Sequence, residues 1–170
     1  LENHAQNVIG TGWVEGPFVV GPRAVRSYPA LGTVTEMKPE DFFDVEDDSV
    51  MGGFRPTPAA YWKLLAYARD RAPDSVDWSQ APLLDGDTMQ RLAADPASFR
   101  GKPMRIPSCV VQDIWRQAKR ENPARFTHLT EGWLGSYEWL RTVHPVVRFD
   151  SPAPNPGLRK SDQMTANGFF

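Results

Sequence analysis

Three groups of residues in this chain could carry chemistry, and each makes its own geometric demand. Cys109 is the single cysteine, and as a nucleophile it would need a histidine base within hydrogen-bond reach. His128 and His144 are the candidates, because His4 lies in a lead without regular pattern. Cys109, however, alternates in phase with Val111, and a free cysteine on the apolar parity of a strand behaves as a small hydrophobe. Neither histidine has Cys or carboxylate neighbours at metal-ligand spacing, and His144 precedes Pro145 at a strand entrance, where a turn role is simpler. The second group is Asp44, Glu46, Asp47 and Asp48. Clustered carboxylates attract calcium, but "PEDFFDVEDDS" lacks the alternating oxygen spacing and central glycine of a calcium loop. It reads as a solvated acidic loop.

The third group is basic and aromatic. The net charge of −2 hides an asymmetry: residues 1–99 carry −7, residues 100–148 carry +5, and the tail is neutral. In the basic part, Arg105, Trp115, Arg116, Lys119, Arg120, Arg125, Trp139 and Arg141 form the candidate binding set, with Arg100, Lys102 and Arg148 adding charge. Phe126, Trp133 and Tyr137 are further candidate stacking faces. A positive groove with aromatic platforms is what a single-strand nucleic-acid site requires. Against it, +5 is a small excess, the whole chain is slightly acidic with a pI near 5.9, and Trp133 between Gly132 and Leu134 suits a barrel core. No Walker A loop, dinucleotide fingerprint, HExxH, CxxC or GxSxG occurs. The motifs therefore imply no cofactor, no metal and no catalytic set.

Those residues must be held by elements that the pattern supplies in order. Residues 1–55 read as an extended, acidic N-terminal segment whose short β-prone pieces are cut by Gly-Pro pairs. In "TPAAYWKLLAYARDRAP", Thr57 is a plausible N-cap and Pro58 suits the first helical position. Tyr61, Leu64, Leu65 and Ala68 make one apolar stripe, and Pro73 ends the helix. "DTMQRLAADP" signals a shorter helix, with Asp87 as cap, Gln90 as capping-box partner and Pro96 as stop. Past Gly101 the period becomes alternating. Met104 and Ile106 share one parity, Cys109 and Val111 the other, so the register slips at Pro107 and Ser108 as a β-bulge would make it do. Such a bend is a device for curling a sheet into a barrel. Further β-prone runs cover 126–129, 132–137, 145–149 and 163–170. "RQAKRENPARF" and "DSPAPNPGLRKSD" read as exposed loops.

The succession "YWKLLAYAR", "LAADPASFRGKPMRI", "LTEGWLGSYEW", "HPVVRFDSPAPNPGL" and "ANGFF" resembles an OB-like β-barrel module found in large, poorly characterised bacterial proteins. The matching positions are Tyr61, Leu64 and Leu65 on the helix, then Asp95, Pro96 and Phe99 to Pro103 before the first barrel strand. Glu131 to Trp133 match a middle strand, Val146, Val147 and Phe149 the next, and Gly168 to Phe170 the last. The resemblance covers residues 56–170, the helix plus OB-like barrel domain. It implies an α+β fold: a small β-barrel, incomplete if a closing strand is missing, preceded by one or two helices and the extended segment. It implies no catalytic residues.

No stretch approaches the ~20 apolar residues that cross a bilayer. The start "LENHAQNVIGTGW" is not a secretion signal; the missing initiator methionine and the ending on "ANGFF" suggest a segment cut from a longer chain, an envelope-associated bacterial protein being one such parent. The expectation is a non-enzymatic interaction or assembly module, with protein partners engaged through a sheet edge or the N-terminal segment. Single-stranded nucleic-acid binding is the alternative.

Overall fold

A computed structural model of the chain describes residues 29–45, 59–72, 75–135, 146–153 and 157–170. The fold is α+β: an antiparallel sheet curls into a half-barrel preceded by two helices. Helix α1 spans Ala59–Asp70 and α2 Gly86–Ala94; the described strands are β1 Pro103–Ala118, β2 His128–Gly135, β3 Val146–Ser151 and β4 Gln163–Phe169, in the order β3-β2-β1-β4. The long strand β1 is central, pairing with β4 along its first half and with β2 along its second.

Two register slips bend β1. One falls between Ile106 and Cys109 on the β4 side, at the Pro107-Ser108 step that the alternation singles out. The other falls between Val111 and Asp113 on the β2 side. Each slip adds an unpaired residue and a local twist, so one strand can serve two neighbours that diverge. Where β2 does not reach, residues 82–84 take its place: Leu83 forms a parallel bridge with Arg105, Leu84 N–H donates to Arg105 O at 2.8 Å, and Arg105 N–H to Pro82 O at 3.0 Å.

Apolar side chains pack in two clusters. One joins Met104, Ile106, Cys109, Val111 and Leu134 to Leu84 and Phe99, with Met89 and Leu92 of α2 against it. The other joins Leu65, Ala66 and Tyr67 of α1 to Val34, Ala124, Phe126 and Leu129. The apolar stripe of α1 thus lies against the barrel, shifted from Ala68 to Ala66 and Tyr67. Phe169 meets Tyr67 edge-on at 5.0 Å between centroids.

Three sequence expectations are corrected locally. The cap of α2 is Asp85, whose carboxylate accepts from Thr88 N–H at 2.8 Å, while Asp87 sits exposed in the first turn. "RQAKRENPARF" is not all loop, because β1 runs on through Ala118. The turn that follows is organised by Asn122, 2% exposed. Its amide donates to Arg120 O and Phe126 O and accepts from Phe126 N–H, and Arg125 adopts φ of 60° to close it. β2 is one strand over His128–Gly135 where the sequence suggests two runs.

Residues 29–45 pack against α1 and the turn after β1. Leu31 N–H donates to Pro123 O, Val34 N–H to Asp70 Oδ2, and Lys63 Nζ pairs with Asp41 at 2.6 Å. Asp44 serves the fold as well, since its carboxylate accepts from Ala59 N–H at 2.7 Å, at the start of α1. Thr57, Pro58, Pro73 and the carboxylates 46–48 lie outside the described residues, as does the rest of the lead before residue 29.

Candidate functional site

The most concentrated chemistry sits where the start of α1, the end of β1 and β3, the outermost described strand on that side, converge. At its base is Glu131 of β2, 1% exposed. Burying a carboxylate this deeply is costly unless cations and hydrogen-bond donors surround it, and three groups do. Trp115 Nε1–H donates to Oε2 at 3.2 Å, Arg148 donates to the same oxygen at 3.2 Å, and the Lys119 ammonium pairs with Oε1. Register explains the grouping. Trp115 is the direct β1 partner of Glu131, Asp150 its direct β3 partner, and Arg148 stands two residues from Asp150 on the same face.

Arg148 also reaches Asp150 Oδ1 through Nε at 3.3 Å, and Tyr61 of α1 donates its hydroxyl to Asp150 Oδ2 at 2.9 Å. Burial and the Asp150 charge push the Tyr61 phenol well above its ordinary pKa. Tyr61 therefore stays protonated and acts as a donor, not as a base. Above this network lies an open cleft of about 440 Å³ lined by Tyr61, Trp62, Lys119, Arg120, Glu121, Arg148 and Asp150.

The candidate residues separate by position. Trp115 and Lys119 join the Glu131 network, and Arg120 lines the cleft beside them. Arg116 is exposed on β1. Arg125 pairs with Glu121 at 3.2 Å on the turn. Arg105 stands away from the others as a structural brace, its Nε donating to Ala81 O at 3.0 Å. Trp139 and Arg141 lie outside the described residues, with Tyr137 and His144. Of the further aromatics, Phe126 is inside, with the Arg69 guanidinium over its ring at 5.1 Å. Trp133 is partly buried, on the parity of Glu131, where the sequence favours the core.

Cys109 is a core residue. It is 1% exposed, its thiol donates to Met164 O at 3.2 Å, and burial raises its pKa. His128 is exposed beside Thr127. Among the described residues no group of three or more His, Cys, Asp or Glu is placed to hold a metal, and no helix is long and apolar enough to cross a membrane.

Sequence reasoning missed Glu131, Arg148, Asp150, Tyr61 and Trp62 as members of one site. The available signal was the charge of Glu131 in a β-prone run between Leu129 and Leu134. Compared with protein-family models, curated proteins and solved structures, the chain shows no significant match in any of the three.

Proposed function

We propose that this chain is a non-catalytic, OB-like interaction module of a larger bacterial protein, which accepts a further strand on its open sheet. The observation that carries the reading is the position of β3, an outer strand whose described neighbour is β2 alone. An outer strand presents alternate backbone N–H and C=O groups to whatever pairs next. The strand is short, at six residues, and its Arg148 and Asp150 point across the sheet face to the Glu131 network, so neither charge guards the edge itself. The added strand can come from the lead before residue 29, from a second copy, or from another protein. Light scattering coupled to size exclusion, with amide hydrogen exchange on β3, tests this. Self-association or a captured partner should slow exchange over 146–151. A strict monomer whose 146–151 amides exchange freely, or association that leaves those amides unchanged, rejects the reading.

Single-stranded nucleic-acid binding is a second reading, favoured by the exposure of Arg116 and by Trp115 and Trp133 on adjoining strands. The carboxylate partners of Lys119, Arg125 and Arg148 weaken it, because a phosphate must compete with them. Titration of labelled oligonucleotides should show affinity falling steeply with salt if it holds. Absence of binding at low salt removes it.

A further inference from the structure

The cleft above Glu131 has the wrong charge balance for an anion and a suitable one for a neutral ligand rich in hydroxyls. Two of its three cations are engaged by carboxylates, Lys119 and Arg148 on Glu131 and Arg148 again on Asp150, and the charge of the third, Arg120, is matched in the lining by Glu121. A carboxylate or phosphate entering the cleft would have to share those cations with carboxylates fixed in the fold. A cationic ligand meets the opposite conflict at Asp150, which already holds Arg148 and the Tyr61 hydroxyl.

Hydrogen-bonding capacity is nevertheless left over. Each Asp150 oxygen accepts one bond from these groups and has a second lone pair, and among the described residues Arg148 spends two of its five N–H donors. Acceptor and donor therefore lie side by side, on two residues already joined by the 3.3 Å bond from Arg148 Nε to Asp150 Oδ1. A hydroxyl donates and accepts at once, so two adjacent hydroxyls can engage such a pair without breaking it. The remaining wall is aromatic: Tyr61 and Trp62 pack edge to face, 5.0 Å between centroids at 76°. Rings carry apolar surface against which the C–H groups of a saccharide can pack. These groups stand on a helix, the end of a long strand and a paired outer strand, and pairing fixes their side chains, so little order is lost on binding.

We propose that this cleft binds a neutral saccharide, with Asp150 and Arg148 holding adjacent hydroxyls and Trp62 supplying the packing surface. The volume of about 440 Å³ lies in the range of small-molecule sites. The site is independent of strand addition, since it faces across the sheet and not along its edge.

The test is a titration of the whole chain, followed by calorimetry and by the indole N–H resonance of Trp62. The probes are neutral oligosaccharides (maltohexaose, cellohexaose, xylohexaose, mannohexaose and chitohexaose), with oligogalacturonate, an oligo-dT and an oligolysine as charged comparisons. At least one neutral probe should saturate, shift the Trp62 resonance, and bind equally at low and high salt. Trp62→Leu and Asp150→Asn should each weaken that binding about tenfold or more with circular dichroism unchanged. No saturation by any neutral probe overturns the proposal. So does preference for a charged probe with salt-sensitive affinity, a Trp62 resonance that does not move, or binding that survives both substitutions in folded protein. The wild-type resonance decides the matter if a variant fails to fold.

Discussion

Glu131 is held by partners on two other strands, and removing it strands their charges. Glu131→Ala leaves Lys119, whose side chain is only 16% exposed, facing a void without its counter-ion. Breaking a buried pair from one side costs on the order of 3 kcal/mol; Arg148, half exposed, can turn to water and contributes little to that loss. The urea midpoint of Glu131→Ala should fall accordingly with an unchanged slope. Replacing both partners, Glu131→Leu with Lys119→Met, should recover most of it, because well-packed apolar substitutes avoid the desolvation cost. Gly132 next door tests the packing. A Cβ there would strike the Asp113 carbonyl and come within 2.6 Å of the Phe149 ring, so Gly132→Ala should destabilise by about 2 kcal/mol or more through overpacking. The sequence shows a charged residue between the leucines of a β-prone run, but its partners are separated from it by 12, 16 and 17 positions. Only the register of the sheet unites them, and one residue of slip would scatter the group to opposite faces.

At the scale of elements, the existence of α2 is legible in the sequence and its first residue is not. "LDGDT" offers two aspartates as caps, and local preference treats them alike. The choice of Asp85 follows from a distant contact: Leu84 N–H is tied to Arg105 O, which keeps the chain extended through residue 84 and starts the helix at Gly86. Asp85→Ala should therefore cost about 1 kcal/mol, whereas Asp87→Ala should cost a few tenths. Acid tests the same cap. The Thr88 N–H bond holds the Asp85 carboxyl below its ordinary 3.8, and Arg69 with Val34 N–H does the same for Asp70. As pH falls the unfolded chain takes up these protons first. Both contributions are thus complete above the ordinary carboxyl value and disappear as pH drops through the lower folded values. Urea midpoints measured between neutrality and about pH 3 should fall, less steeply in Asp85→Asn. The bulge at Pro107-Ser108 is legible because a change of parity is written into the sequence itself. The Asn122 turn is not, since nothing local says that an asparagine among charged residues will be buried. Asn122→Ala should cost about 3 kcal/mol, as it leaves the buried Phe126 amide and carbonyl without partners.

For the whole molecule the sequence suggests an extended lead and a separate folded domain, and composition justifies that division: the lead is acidic, broken by Gly-Pro pairs and without helical period. Composition does not show where apolar residues of such a lead come to rest. Leu31, Val34 and Met37 belong to the cluster that seats α1 on the barrel, while Asp41 and Asp44 hold Lys63 and the first N–H of the helix. The lead from residue 29 thus adds side chains to the cluster that holds α1, and whether the division near residue 55 separates two stabilities is a matter for truncation. Deleting residues 1–45 should expose the α1 side of that core and lose on the order of 3–5 kcal/mol, as full exposure of a side chain such as valine or methionine costs about 1.5–3 kcal/mol. Deleting residues 1–28 alone leaves all of those contacts in place. The comparison is made by thermal and urea unfolding of the two truncations beside the full chain, with the 29–170 chain as the reference for the core. If the 46–170 chain unfolds at the same midpoint as the 29–170 chain, residues 29–45 are an attachment and the division at residue 55 stands. If its midpoint falls and it binds a hydrophobic dye, residues 29–45 are a structural layer of the domain.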